Sequence, residues 1–128
     1  MIYVDTSVVL AALFAEDRRP PPKFWTEHLI SSRLLEFETW TRIHARPHSA
    51  EVVEVAGRLV GSADLVEMTP IVLARALEPF PSPVRTLDAL HLATAAYLQA
   101  QGLRLRFATY DAKQAKVAQA MKLEILKP

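Results

Sequence analysis

Cysteine is absent from the 128-residue chain. That excludes a disulfide scaffold and any thiolate metal site, and it is compatible with a reducing compartment. Long uncharged apolar runs are missing as well. The N-terminal stretch "MIYVDTSVVLAALF" has no basic segment ahead of it and is interrupted by Asp5, so it reads as neither a secretory leader nor a membrane span. A cytoplasmic setting is therefore expected. No dense basic run occurs, no internal repeat, and no linker that would divide the chain, so residues 1–128 read as one domain. The 15 Lys and Arg stand against 14 Asp and Glu, a balance that neither requires nor forbids a nucleic-acid partner. Ten of the basic residues are arginine, which suits phosphate recognition as well as plain surface solubility.

What is present is a core-forming composition, 51% hydrophobic and 23% charged, ordinary for a globular chain. "IYV" reads as a short buried strand ending at Asp5, with Thr6 or Ser7 capping a helix through "VVLAALFAE". Three prolines break the pattern in "EDRRPPPKF", and Pro22 is placed to open a short amphipathic helix, "KFWTEHLI". A strand over 28–31 follows, divided by the Ser31–Ser32 pair from a helix whose apolar positions are Leu34, Leu35, Phe37, Trp40 and Ile43, stopped by Pro47. "SAEVVEVAGRLVG" reads as a helix capped by Ser49 and ending at Gly61, and "DLVEM" as a strand. "TPIVLARALEPF" starts with Thr69 as cap and Pro70 in the first turn. After the loop "FPSPV", a helix runs from about Thr86 to Gln101, closed by Gly102. "LRFATY", "DAKQAKVAQAM" and "LEIL" then read as strand, helix and strand. Strands alternating with helices at this spacing predict an α/β fold with a parallel sheet.

In open α/β sheets, ligands sit beyond the carboxyl ends of the strands. Asp5 and Asp111 stand at two such ends, and Glu38 and Asp88 lie near the starts of two helices. Four carboxylates facing one crevice would repel one another unless a cation neutralised them. Hard oxygen ligands without Cys or His point to Mg²⁺ or Mn²⁺ and to phosphodiester hydrolysis, which requires no protein nucleophile. Each acid also has a structural reading on its own. Asp5 can cap the first helix; Asp111 with Gln114 matches a capping box; Asp88 suits a helix dipole behind a Thr86 cap; Glu38 can pair with Arg42 one turn on. Glu36 competes with Glu38, and spacing alone does not choose between them.

The ordered segments "IYVDTSVVLAAL", "SSRLLEFETWTR", "RTLDALHLATA" and "FATYDAKQAKVA" resemble the PIN-domain ribonucleases, and in particular the VapC toxins of bacterial toxin–antitoxin pairs. The likeness runs from residue 2 to about residue 126. It implies a PIN-like three-layer α/β/α fold, a central parallel sheet flanked by helices, with an acidic pocket at its carboxyl edge. Carried over residue by residue, the family's acids fall on Asp5, Glu38, Asp88 and Asp111, which would bind one or two Mg²⁺ or Mn²⁺ ions and position an attacking water. Ser7 and Thr109 match small hydroxyl positions beside the pocket. The implied activity is a metal-dependent endoribonuclease acting on RNA and restrained by a small VapB-like antitoxin. The apolar helices around residues 50–77 would form a homodimer face. A PIN nuclease with a housekeeping role and no antitoxin, or a catalytically silent PIN binding module, are the alternative readings. The "EDRRPPPKF" stretch matches nothing in the family pattern.

Other residues are weighed in the same way. Arg42, Arg85, Lys113 and Lys116 lie near the acids in sequence and are candidates for holding substrate phosphates. His91, one turn after Asp88, could hydrogen-bond or order a water there, but reads rather as a packed histidine satisfied by a backbone carbonyl. His44 and His48 mimic a metal pair, but Pro47 breaks the helix between them. Phe24, Trp25, Phe37 and Trp40 keep helical spacing and read as core or interface packing rather than base-stacking platforms.

Overall fold

The structure, a computed structural model, describes residues 1–128. Its strands are β1 (Ile2–Val4), β2 (Leu29–Ser32), β3 (Ala63–Val66), β4 (Arg106–Ala108) and β5 (Glu124–Leu126). The helices are α1 (Thr6–Leu13), α2 (Leu34–His44), α3 (Ala50–Gly61), α4 (Pro70–Ala76), α5 (Thr86–Ala100) and α6 (Ala112–Ala120), with a 3-10 turn at Pro22–Thr26. All strand pairs are parallel, in the order β3-β2-β1-β4-β5. The expected α/β class and three-layer arrangement are both observed. No helix is long and apolar enough to cross a membrane.

This order places a topological switch at β1. The chain leaves β1 outward through β2 and β3, then returns to pair β4 with the other edge of β1, Val4 opposite Ala108. Two chain crossings that diverge from neighbouring strands leave a crevice at their carboxyl ends. Asp5 follows β1 directly, and Thr109 to Asp111 follow β4.

Alternation along the short strands divides the core between the two faces of the sheet. Tyr3, Ile30 and Phe107 join Leu92, Ala95 and Leu98 of α5 and Val117 and Ala118 of α6 on one side. Ile2, Val4, Leu29 and Ala108 join Val8 and Val9 of α1, Phe24 and Leu35 on the other. A smaller cluster of Leu13, Ile43 and Ala56 holds α1, α2 and α3 together. The rings of Tyr3 and Phe107 stack at 5.2 Å on adjacent strands, an arrangement that adds to their area burial.

Several local readings shift. The Ser31–Ser32 pair does not divide strand from helix. Both residues lie buried in β2, because the Ser31 hydroxyl donates to the Val4 carbonyl (2.6 Å) and the Ser32 hydroxyl accepts from Leu34 N–H (3.1 Å). Of "KFWTEHLI" only Lys23–Thr26 is helical, as a 3-10 turn with Pro22 in its first position as expected, and Leu29 and Ile30 belong to β2. The cap of α1 is Asp5, and Thr6 and Ser7 are already helical. Thr86 is likewise helical, and α5 starts at Arg85 without a side-chain cap. Helix α2 ends at His44, before Pro47 is reached. Ser49 and Thr69 cap α3 and α4 as read, accepting from Val52 N–H and Val72 N–H.

Three helices close alike. In α1, α5 and α6 a residue of positive φ follows the last turn, Ala15 (50°), Gly102 (92°) and Lys122 (68°), and the next N–H reaches back to Ala11, Leu98 and Ala118 respectively. This is a Schellman closure, in which glycine is favoured because a Cβ crowds the left-handed conformation. With glycine at only one of the three sites, α1 holds strain at Ala15. Ala15→Gly is expected to raise stability by about 0.5–1 kcal/mol, the relief of left-handed strain less the entropy a glycine adds to the unfolded chain. A urea unfolding midpoint that falls would contradict this.

Candidate acidic site

Asp5 is held by both strand ends that flank the crevice. Its Oδ2 accepts from Ser7 N–H (3.2 Å), from the Ser7 hydroxyl (2.6 Å) and from the Thr109 hydroxyl (3.1 Å). Ser7 Oγ in turn accepts from Tyr110 N–H (3.0 Å), and Thr109 Oγ1 from Asp111 N–H (3.0 Å). The two hydroxyls thus tie the end of β1 to the end of β4. Gln114, only 2% exposed, completes the set. With its amide nitrogen turned toward the acceptors, it donates to Asp5 at 3.1 and 3.2 Å and to Thr109 Oγ1 at 3.0 Å. Asp111 does cap α6, its Oδ1 accepting from Lys113 and Gln114 N–H (2.9 and 3.1 Å). The expected reciprocal half of the capping box is not made. Thr109 takes the Asp111 N–H, which releases Gln114 to serve Asp5.

Glu38, not Glu36, faces the crevice. Glu36 turns to Arg33 at the surface (3.5 Å), while Glu38 Oε1 accepts from the Thr6 hydroxyl and from His91 Nε2, both at 2.7 Å. Arg42 makes no ion pair with Glu38, so the expected i,i+4 pair is absent. His91 is 1% exposed and makes no bond to a backbone carbonyl. Its other nitrogen, Nδ1, lies 2.8 Å from the Tyr3 hydroxyl. Burial pushes the Tyr3 phenol far above its ordinary range, with Asp5 adding to the effect, so Tyr3 keeps its proton. Burial works against a charged His91. The Glu38 bond and the charges of Asp5, Glu38 and Asp88 outweigh it and hold the imidazole above its ordinary pKa. In either state Nε2–H points at Glu38. The core histidine expected at this position is therefore the support of the second acid.

Asp88 extends from the first turn of α5. The helix is exposed at Thr86 and Leu87 and buried only from Ala89 onward. Asp88 therefore stands at the rim and not inside an apolar helix. Its carboxyl pKa is raised first by burial, then by Asp5 and Asp111, with Glu38 adding and His91 opposing. All four acids line one cleft, together with Thr6, Ser7, Phe37 and Arg42. No three acidic or histidine side chains converge tightly enough to hold an ion by themselves. The donor set nevertheless fits a hard divalent cation. Asp88 carries both oxygens free of protein donors, Asp111 keeps one oxygen free beside its capping contacts, and the repulsion on Asp88 is what a cation would relieve. Mg²⁺ usually retains several waters and takes only one or two carboxylates from the protein.

The four basic candidates separate. Arg42 lies in the acidic cleft; Arg85 and Lys113 line an adjoining cleft with Asp88, Asp111 and Gln114; Lys116 faces away along α6. Among the aromatics, Phe24 is buried, and Trp25 and Trp40 pack against the core. Phe37 is not in the core, which leaves the interface half of the expectation. It is 58% exposed and opens onto the acidic cleft, because α2 turns Leu34, Leu35 and Ile43 inward and leaves the face of Phe37 and Glu38 outward. His44 and His48 rest on different aromatic rings, Trp40 and Phe14.

Sequence reasoning missed Gln114 and the role of His91. Gln114 shares the buried face of α6 with Val117 and Ala118 at i+3 and i+4, and that shared face was the available signal.

The PIN domain family profile matches residues 2–124. The chain is a PIN-domain protein. It is of the VapC type: it is 31% identical over 118 residues to Ribonuclease VapC47 of Mycobacterium tuberculosis (strain CDC 1551 / Oshkosh), covering 87% of this chain and 85% of that protein. It is 28% identical over 134 residues to Ribonuclease VapC35 of the same strain, covering 100% of this chain and 97% of that one. No solved structure matches significantly.

In this PIN domain His91→Leu would take the Nδ1 partner from the buried Tyr3 hydroxyl and remove a donor from Glu38. The expected loss is about 2–4 kcal/mol of unfolding free energy, read from urea denaturation. An unchanged midpoint would show that the buried ring is dispensable.

Proposed function

We propose that the chain is a Mg²⁺- or Mn²⁺-dependent endoribonuclease of the cytoplasm, the toxin of a VapBC-type pair. The observation that carries this is the gathering of Asp5, Glu38, Asp88 and Asp111 on one cleft at the sheet's switch point, with the charge on Asp88 disfavoured first by burial and then by its acidic neighbours. The relatives' designation as ribonucleases supports RNA as substrate. These four carboxylates would hold one or two ions. A bound divalent ion supplies Lewis acidity toward a phosphodiester oxygen and lowers the pKa of water beside it.

The chain's own groups divide the remaining tasks. Ser7 and Thr109 hydroxyls are both committed to Asp5, so they orient that carboxylate rather than attack the substrate. His91 and Thr6 fix Glu38 in the same sense. Asp88 and Asp111 retain free oxygens that can adjust to the ion and its waters. Arg42 on one side, and Arg85 and Lys113 on the other, are placed to meet substrate phosphates. A shallow open cleft suits single-stranded or looped RNA.

Apolar exposure supports the protein partners. Phe37 and Leu87 stand beside the acids, where a VapB-like antitoxin would cover them together with the charges. Ile71, Leu73 and Leu77 are exposed on and just after α4, the last at 89%, which supports a homodimer through that region.

Two measurements test the reading. Asp5→Asn and Asp88→Asn are each expected to lower Mg²⁺-dependent RNA cleavage by about a hundredfold or more. Sequenced RNA ends after induction should be new relative to the Asp88→Asn background, and their absence would remove the ribonuclease assignment. Mg²⁺ should raise the melting temperature of the parent chain by an amount equivalent to about 2.7 kcal/mol at a hundred times its Kd. The rise should vanish in Asp5→Asn and reverse on chelation; an equal rise in that variant would place the ion elsewhere.

A further inference from the structure

A second cleft opens on the far side of Asp111 from the acids. It is lined by Arg18, Arg19, Tyr110, Lys116 and Lys127, and it shares Asp111 with the acidic cleft. Four cations here face the two carboxylates Asp17 and Asp111, whereas the acidic cleft sets four carboxylates against Arg42 alone. The near-neutral chain is therefore strongly polarised across a single residue. All four cations are exposed, and none is in an ion pair.

The arginines are presented by a stiff loop. The Schellman closure at Ala15 turns the chain out of α1, Pro20 is buried, and Pro21 and Pro22 restrict the exit toward the next turn. Arg18 donates to the Tyr110 carbonyl (3.3 Å) and lies 5.4 Å over the Tyr110 ring, and Arg19 donates to the Glu16 carbonyl (3.2 Å). The Tyr110 hydroxyl is itself anchored on the Pro128 carbonyl (2.9 Å). Cations held in place before binding lose less entropy when a phosphate arrives. Tyr110 also connects the clefts mechanically, since its N–H is bonded to Ser7 Oγ, which orients Asp5.

We propose that this basic cleft binds the flank of a single-stranded RNA whose phosphodiester lies over the four carboxylates. Arg18, Arg19, Lys116 and Lys127 take its phosphates, and the Arg18–Tyr110 pair offers a planar surface to an unstacked base. The inference rests on the nuclease reading above and adds to it a sequence-tolerant holding site that favours long, flexible substrates. It also gives a role to the Arg- and Pro-rich stretch that matches no family pattern.

The test uses the full chain in EDTA and fluorescein-labelled, mixed-sequence, single-stranded RNAs of about four and about sixteen nucleotides, bracketing a short footprint and an extended one. Arg18→Ala/Lys127→Ala should weaken binding of the longer RNA about tenfold, with little change for the shorter. The slope of log affinity against log salt should fall by about 1.4, or about 0.7 for each phosphate that is no longer neutralised. Arg58→Ala/Arg104→Ala, which removes the same charge elsewhere, should leave both affinities near the parent's. Lys116→Ala should weaken the longer RNA more modestly, and it serves if the double variant fails to match the parent's melting temperature. Unchanged affinity for the longer RNA, or equal losses for both lengths, would overturn the proposal. So would unchanged RNA binding combined with lost inhibition by the antitoxin, which would give the cleft to a protein partner. Cleavage by the parent chain in Mg²⁺ is scored separately, so failure of the nuclease reading is distinguishable from failure of this one.

Discussion

The lock between the ends of β1 and β4 is the constraint from which the site follows. Two parallel strands diverge there into crossings of opposite direction, and nothing in the sheet itself holds the loops beyond them. The Ser7 and Thr109 hydroxyls do so by bonding simultaneously to Asp5 and to the backbone of the loop after β4. One carboxylate oxygen thereby closes the crevice, caps α1 and sets the position from which Asp111 begins α6. Because these bonds are buried and partly charge-assisted, losing one leaves its partner unsatisfied, and the arrangement stands or falls as a unit.

A second support acts from beneath the sheet. Tyr3 reaches His91 on one side of the ring, and His91 reaches Glu38 on the other. A residue of the central strand therefore transmits the rigidity of the core to a carboxylate at the rim. Asp5 and Glu38 are fixed in this way, whereas Asp88 and Asp111 keep oxygens uncommitted. The division suits the proposed role, in which the site would be preorganised and yet adapt to an ion with its own coordination preferences. Burial first, and then the crowding of negative charge, weakens the ionised form of Asp88, and a divalent cation would offset the crowding.

Most of the fold was legible because its determinants are local. Short apolar runs, caps at Ser49 and Thr69, and Pro70 at the start of α4 place elements without knowledge of their neighbours. The misplaced boundaries share a cause. Ser31 and Ser32 look like a break, yet they lie inside β2, since a neighbouring strand carbonyl and a helix N–H satisfy them. Asp5 replaces Thr6 and Ser7 as the cap of α1 because Ser7 is needed by Tyr110. For Ser31 and Ser7 a side chain that local chemistry would assign to its own backbone is taken by a distant element, whereas Ser32 keeps a local partner in Leu34 N–H.

The sequence by itself determined the class of fold, the candidate acids Asp5, Asp88 and Asp111 in their order, and the absence of thiolate chemistry. These depend on residue type and spacing, which the chain carries openly. Tertiary structure decided which acid of the α2 pair enters the cleft, and it turned His91 from a packed ring into the support of Glu38. It also sent Gln114 to Asp5 and separated the bases into distinct clefts. Each of these is settled by contacts between residues tens of positions apart, such as Thr6 with Glu38, Tyr3 with His91, and Arg18 with Tyr110. No periodicity along the chain encodes such distances; they exist only once β1 and β4 are side by side.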